Sequence, residues 1–199
     1  MKNISHRKNT MKALKILTLL TFNTILVCSA FAQADSAGTP KYKLLATTRT
    51  GTMQKEVDEV AAQGYRILVG SPTSGTEMAL FLSRDASAES PYKYKLLATT
   101  RTGTMNKELN ELADGGYRLI PSTMIAKKQL LGAVEIVMIM ERLPMPTKQY
   151  DYILLATSLT STLQKEVTEA QDAGYKIVGM VSRGEHMVVM ERESDAGKP

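Results

Sequence analysis

The stretch KYKLLATTRTGTM runs from Lys41 to Met53 and returns letter for letter from Lys93 to Met105. A looser version, DYILLATSLTSTL, spans Asp151 to Leu163. The copies begin 52 and then 58 residues apart, so the repetition organises most of the chain.

Working outward from the repeated stretch, each copy reads the same way. A Leu-rich strand (Lys41 to Thr48, Lys93 to Thr100, Asp151 to Ser158) leads through a Gly/Ser/Thr turn into a helix. Met53, Val57, Val60 and Ala61 then recur at helical spacing, as do Met105, Leu109, Leu112 and Ala113, and Leu163, Val167 and Ala170. This pattern predicts one narrow apolar stripe per helix, with the polar remainder facing water. Thr52, Thr104 and Thr162 precede the first apolar residue and are read as N-caps. Gly64, Gly116 and Gly174 stand where a helix ends in a left-handed residue, each followed by a Tyr suited to the accompanying apolar contact. Those tyrosines open a second strand (RILVG, RLIPST, KIVGMVS), and EMALFLSR, VEIVMIMER or HMVVMER forms a third.

The third strand is nearly continuously apolar, as strands covered on both faces are. One helix covers one face, so the other face should pack on a neighbouring repeat. A unit of about 50 residues also buries too little surface to stand alone. The expected fold is therefore α+β: three tandem βαββ repeats whose small, mainly antiparallel sheets pack into a shared core with helices outside. The expected boundaries are 1–32 signal peptide, 33–40 linker, 41–90, 91–148 and 149–193 for the repeats, and 194–199 tail. In the second repeat PSTMIAKKQLLGA replaces the compact turns PTSGTE and RGE, which reads as an elongated hairpin or a contact arm over Met124 to Ala133.

The first 32 residues carry Lys2, Arg7, Lys8, Lys12 and Lys15, then the apolar run ILTLLTFNTILVCSA, then Ala30-Phe31-Ala32. This is the pattern of a secretory signal, with translation from Met1 or Met11. The expected location is the periplasm, with membrane contact only through the leader if it stays uncleaved. Of 25 basic residues five lie in this leader, leaving 20 against 20 acidic ones. A neutral mature chain offers no electrostatic case for nucleic acid. Cleavage also removes Cys28 and His6, leaving His186 as the single histidine and excluding disulfides and Cys/His zinc cages.

The segment LNELADGGYRLI, with its later partner IVMIMER, resembles a short bacterial domain-of-unknown-function family, series number four-one-seven-seven. The corresponding residues are Leu109, Asn110, Gly116, Tyr117 and Arg142; then Val57, Asp58, Gly64, Tyr65 and Arg84; then Val167, Thr168, Gly174, Tyr175 and Arg192. Tyr stands where that family commonly has Trp, and the Asn is kept once. The resemblance implies a βαββ core in three copies and brings no activity or site with it.

Candidate chemistry is sparse. A Ser/His/acid hydrolase would have to use His186, which sits in no catalytic motif. The triplicated charges Lys55, Glu56 and Glu59, Lys107, Glu108 and Glu111, and Lys165, Glu166 and Glu169 are expected to pair on a solvated helix face. No phosphate loop is present, and no cofactor is expected. His186, Met187 and Met190 in HMVVM form an alternative soft site for copper(I), set against ordinary use of Met as core filler. Within the repeated stretch, Thr48, Arg49 and Thr50, with Thr100, Arg101 and Thr102, are not required by packing. They belong at the carboxyl end of a strand beside a helix start, where α/β units often bind ligands. Recent duplication is the competing explanation of their identity, and Leu159 replaces the Arg in the third copy. The reading is a non-catalytic binding protein whose partner is a protein or a small envelope ligand.

Overall fold

The computed structural model describes residues 38–85, 92–142 and 146–195. The leader, Cys28, His6 and both candidate start sites lie outside the described residues, as do most of DASAES and half of LPMPTK. The first segment holds β1 (Tyr42–Thr47), α1 (Thr50–Ala61), β2 (Tyr65–Pro72) and β3 (Met78–Arg84). The second holds β4 (Lys93–Thr99), α2 (Thr102–Asp114), β5 (Tyr117–Leu119), a 3-10 turn (Pro121–Thr123), β6 (Ile125–Lys128) and β7 (Val134–Arg142). The third holds β8 (Lys148–Thr157), α3 (Thr160–Asp172), β9 (Lys176–Ser182) and β10 (His186–Asp195). Among the described residues the fold is α+β, with three helices and three small antiparallel sheets.

In each sheet the last strand takes the centre: β1-β3-β2, β4-β7-β5 with β6 also on β7, and β8-β10-β9. The matched registers Tyr42↔Ser83, Tyr94↔Glu141 and Tyr152↔Glu191 make the three segments directly comparable. Gly64, Gly116 and Gly174 close the helices at φ of 84, 81 and 90°, a region that other residues enter at a steric cost.

Several boundaries differ from the sequence reading. The helices start at Thr50, Thr102 and Thr160, three residues earlier than expected, so Thr52, Thr104 and Thr162 lie inside the first turn and are not N-caps. Arg49, Arg101 and Leu159 occupy that position without a capping side-chain bond. The turn is held instead by Thr47, Thr99 and Thr157, whose Oγ1 accepts from the amide two residues on at 3.3, 3.1 and 3.1 Å. β8 begins at Lys148, before the expected third unit, and β10 runs on to Asp195. β5 is short because Pro121 has no amide to offer the ladder. Beyond it the Thr123 hydroxyl serves the β7 edge as an acceptor, taking the Ile139 amide at 3.0 Å. The stretch after it pairs with β7 as an elongated hairpin, and Leu130 and Leu131 are exposed at its tip.

The core follows the junctions between segments. Met53, Val57, Val60, Leu80 and Leu82 of the first segment share one cluster with Tyr94, Ile125, Val137 and Ile139 of the second. Met105, Leu109, Met138 and Met140 of the second share another with Tyr152, Leu154, Met187 and Val189 of the third. β7 is buried along both faces, as its continuous apolar run predicts. β3 is not: Phe81, paired with the exposed Leu44, points outward, with no other described segment packed over it.

Candidate functional site

Two kinds of junction join consecutive segments, and both pass through the repeated stretch. The first is a buried polar triad. Tyr94 Oη donates to Glu141 Oε2 at 2.9 Å and accepts from the Ile67 amide of the preceding segment at 3.2 Å. Arg66 of that segment donates to both Glu141 oxygens, at 2.9 and 2.7 Å. The next junction repeats this with Tyr152, Glu191, the Leu119 amide and Arg118, at 2.8, 2.9, 3.1 and 2.8 Å. The buried carboxylate is thus satisfied from both sides, which low dielectric demands. The Glu141 hydrogen bond raises the Arg66 guanidinium above its ordinary value, and Glu191 does the same for Arg118. Burial first, and the neighbouring carboxylate with it, pushes both Tyr94 and Tyr152 up out of the usual phenol range.

Arg66 and Arg118 lie over the rings of Tyr92 and Tyr150, at 4.7 and 4.6 Å from the centroids. Both line one groove of about 270 Å³. With each guanidinium already held by a carboxylate and a ring, this groove is a joint between segments.

The helices form the second junction. Gln54 Nε2 donates to the Tyr94 carbonyl at 3.2 Å, and Gln54 Oε1 accepts from the Leu96 amide at 2.8 Å. In the next junction Asn110 bonds both the carbonyl and the amide of Tyr152, at 2.9 and 2.8 Å, and Asn106 accepts from the Leu154 amide at 2.9 Å. These polar helical side chains therefore do not face water as expected; they satisfy the free edge of the following segment's first strand. The charge pairs Lys107–Glu111 and Lys165–Glu169 do stand on exposed faces, at 3.5 and 3.8 Å.

The predicted Thr/Arg residues divide. Thr48, Arg49 and Thr50 line an open groove of about 720 Å³ together with Lys55, Lys127 and Leu130, so the first turn and the second segment's arm meet. Lys127 Nζ donates to the Thr48 carbonyl at 3.0 Å and pairs with Glu135 at 3.6 Å. Arg49 is exposed at the groove rim. Thr100 and Thr102 receive Arg183 of the third segment instead, through the Thr100 carbonyl and Thr102 Oγ1. Arg101 is exposed beside them. Each turn thus accepts a cation from the segment that follows. In both turns the shared contact is to a backbone carbonyl, and only Thr102 adds a side-chain oxygen, so this contact does not account for the identity of the two thirteen-residue copies.

Met187 and Met190 are not brought together. Met187 is buried in the cluster shared by the second and third segments, while Met190 is buried in a separate one with Tyr175, Val188 and Ala170. A spacing of three on a strand puts side chains on opposite faces. His186 Nδ1 is buried with no protein partner. Among the described residues there is no cluster of His, Cys, Asp and Glu able to hold a metal, and no helix long and apolar enough to cross a membrane.

Sequence reasoning missed Gln54, Asn106 and the Tyr/Glu/Arg triads. A signal for the triads existed. The last strands read MER in the second and third copies but LSR in the first, while Arg66 and Arg118 become Lys176 in the last. The carboxylate is present where a segment precedes, and the guanidinium where a segment follows. Compared with protein-family models, curated proteins and solved structures, the chain matches none.

Proposed function

We propose that the protein is a secreted, periplasmic, non-catalytic binding protein made of three tandem βαββ repeats, which takes a partner protein at the groove between the Thr48–Thr50 turn and the second segment's arm. The observation that carries this reading is the meeting of those two surfaces across the Lys127–Thr48 bond. It leaves exposed Arg49 and Lys55 beside the exposed Leu130 and Leu131 on a braced frame. Exposed apolar residues rimmed by charge are characteristic of protein contact surfaces. The non-catalytic part rests on His186, the only histidine after the leader, having no acid that would orient it as a general base. The βαββ reading rests on the matched element order and registers, and on the resemblance of the Leu109–Ile120 segment to the family described above.

The test is thermal unfolding of the mature protein alone and with peptides, glycans and anions, followed by capture of envelope proteins with wild type and with Arg49→Ala/Leu130→Asp. A ligand bound to the native state raises the midpoint by mass action. The expected result is a partner held by wild type and released by the double variant at unchanged midpoint. Equal capture by both, or cytoplasmic retention of an unprocessed chain, overturns the proposal.

A further inference from the structure

The two internal junctions are built from parts that also stand, unused, at the two ends of the array. At the first end, Tyr42, Lys43 and Leu44 repeat Tyr94, Lys95 and Leu96 residue for residue. Tyr42 is nevertheless 53% exposed, against 2% for both Tyr94 and Tyr152. Leu44 and Phe81 beside it are exposed too, whereas Ile139 and Val189, which match Phe81 in register, are fully buried. At the last end, Ile177 is 57% exposed, against 5% and 3% for its counterparts Ile67 and Leu119. Those counterparts are covered by the following segment, and their amides bind its tyrosine hydroxyl. Ile177 also lines an open groove of about 420 Å³ with Val167, Tyr175 and Met190.

The helix repeats the pattern. Gln164 occupies in α3 the place of Gln54 in α1, one residue after the first stripe residue, and is the same residue type. Gln54 bonds the edge of a Tyr-Lys-Leu strand, whereas Gln164 reaches only Thr168 on its own helix, at 3.4 Å. Position 180 agrees. At Gly70 an added Cβ would lie 2.8 Å from Leu80 and 3.0 Å from Ile125 of the following segment. The corresponding residue in the last segment, paired with Val188 as Gly70 is with Leu80, is the exposed Met180.

We infer that the protein associates head to tail, the outer face of its first sheet (Tyr42, Leu44, Phe81) seating against α3 and β9 of a second copy (Gln164, Ile177), as each segment already seats on the one before. Exposed patches of this kind mark contact sites. The occupant is named by identity of sequence with the strand that fills the equivalent place inside the chain. In the joint Tyr42 Oη meets the Ile177 amide, and Gln164 meets the edge of β1. Two internal features are absent from it: Ser83 stands where Glu141 and Glu191 stand, and Lys176 where Arg66 and Arg118 stand. The joint is therefore weaker than the internal ones and reversible. Being heterologous, it generates a ring or an open filament rather than a two-fold dimer. The inference is independent of the partner groove proposed above.

Analytical ultracentrifugation over a concentration series, with a mixing arm, tests it. Wild type should show mass rising with concentration. Leu44→Asp, which spoils the head, and Ile177→Asp, which spoils the tail, should each sediment as monomers at wild-type melting temperature. Mixed together they should form a 1:1 dimer that grows no further, since one intact tail meets one intact head. Phe81→Lys repeats the head arm if Leu44→Asp fails to fold. Ser83→Glu with Lys176→Arg, which restores the missing triad, should tighten association about tenfold or more. A wild type that remains monomeric up to about 1 mM, single variants that still associate, or a mixture that stays monomeric each overturns the inference.

Discussion

Gln54 closes the edge of the strand that carries Tyr94. Its amide nitrogen donates to the Tyr94 carbonyl while its oxygen accepts from the Leu96 amide, so one side chain imitates a strand neighbour. Gln54→Ala leaves two partly buried backbone groups unpaired and should destabilise the fold by about 1–2 kcal/mol. Gln164→Ala, at the matching position of α3, should stay within about 0.5 kcal/mol at dilute protein concentration. Urea unfolding of both variants checks the contrast; equal effects would show that Gln54 acts through its helix alone.

The triads predict coupling across segments. Arg66→Ala leaves the Glu141 carboxylate buried with the Tyr94 hydroxyl as its remaining side-chain donor, a loss of about 1–3 kcal/mol. Replacing both, Arg66→Ala with Glu141→Gln, should cost less than the sum of the single effects. A double-mutant cycle measures that difference.

Alkaline pH should unfold the protein through its tyrosines. Tyr94 and Tyr152 are held protonated, chiefly by burial, while unfolded tyrosines ionise near pH 10. The native state therefore binds more protons than the unfolded state above that pH. This contribution is complete below pH about 10 and is lost as pH rises beyond it. The melting temperature should fall steeply from pH about 10 upward, and Tyr94→Phe/Tyr152→Phe should flatten that slope while lowering stability at neutral pH. An unchanged slope would assign the alkaline transition to other groups.

Gly70 is required by close approach. A Cβ there meets Leu80, Ile125 and the Thr123 backbone at 2.8, 3.0 and 3.4 Å, all packed at the first junction. Gly70→Ala should cost about 1–3 kcal/mol. Gly179→Ala, whose Cβ meets the flexible end of Met124, should cost less. Thermal unfolding ranks the two; the reverse order would mean that the first junction relaxes more readily than the second.

The groove lined by Arg49 and Leu130 was only half legible. Thr48, Arg49 and Thr50 stood out because burial of β1 did not explain them, but nothing in the repeat period says that a hairpin arm about 80 residues later arrives beside them. The copper alternative rested on residues adjacent in sequence, whereas Met187 and Met190 lie in different core clusters on opposite faces of β10.

By itself the sequence determined the local elements: the stripe at Met53, Val57 and Val60, the turn glycines at Gly64, Gly116 and Gly174, and the continuous apolar run of β7. These depend on periods and dihedral preferences that a few neighbouring residues set. It also implied, through that run, that each sheet needs a second cover. Only the tertiary structure decided what the cover is and which polar residues it recruits. Gln54 and Asn106 read as surface residues, and Glu141 drew no reading, because their partners Leu96, Leu154 and Arg66 lie 42, 48 and 75 positions away in the chain, outside any local pattern. Burial of a carboxylate or a strand edge is a property of the assembled junction, where water is excluded and each polar group must find a partner within the fold.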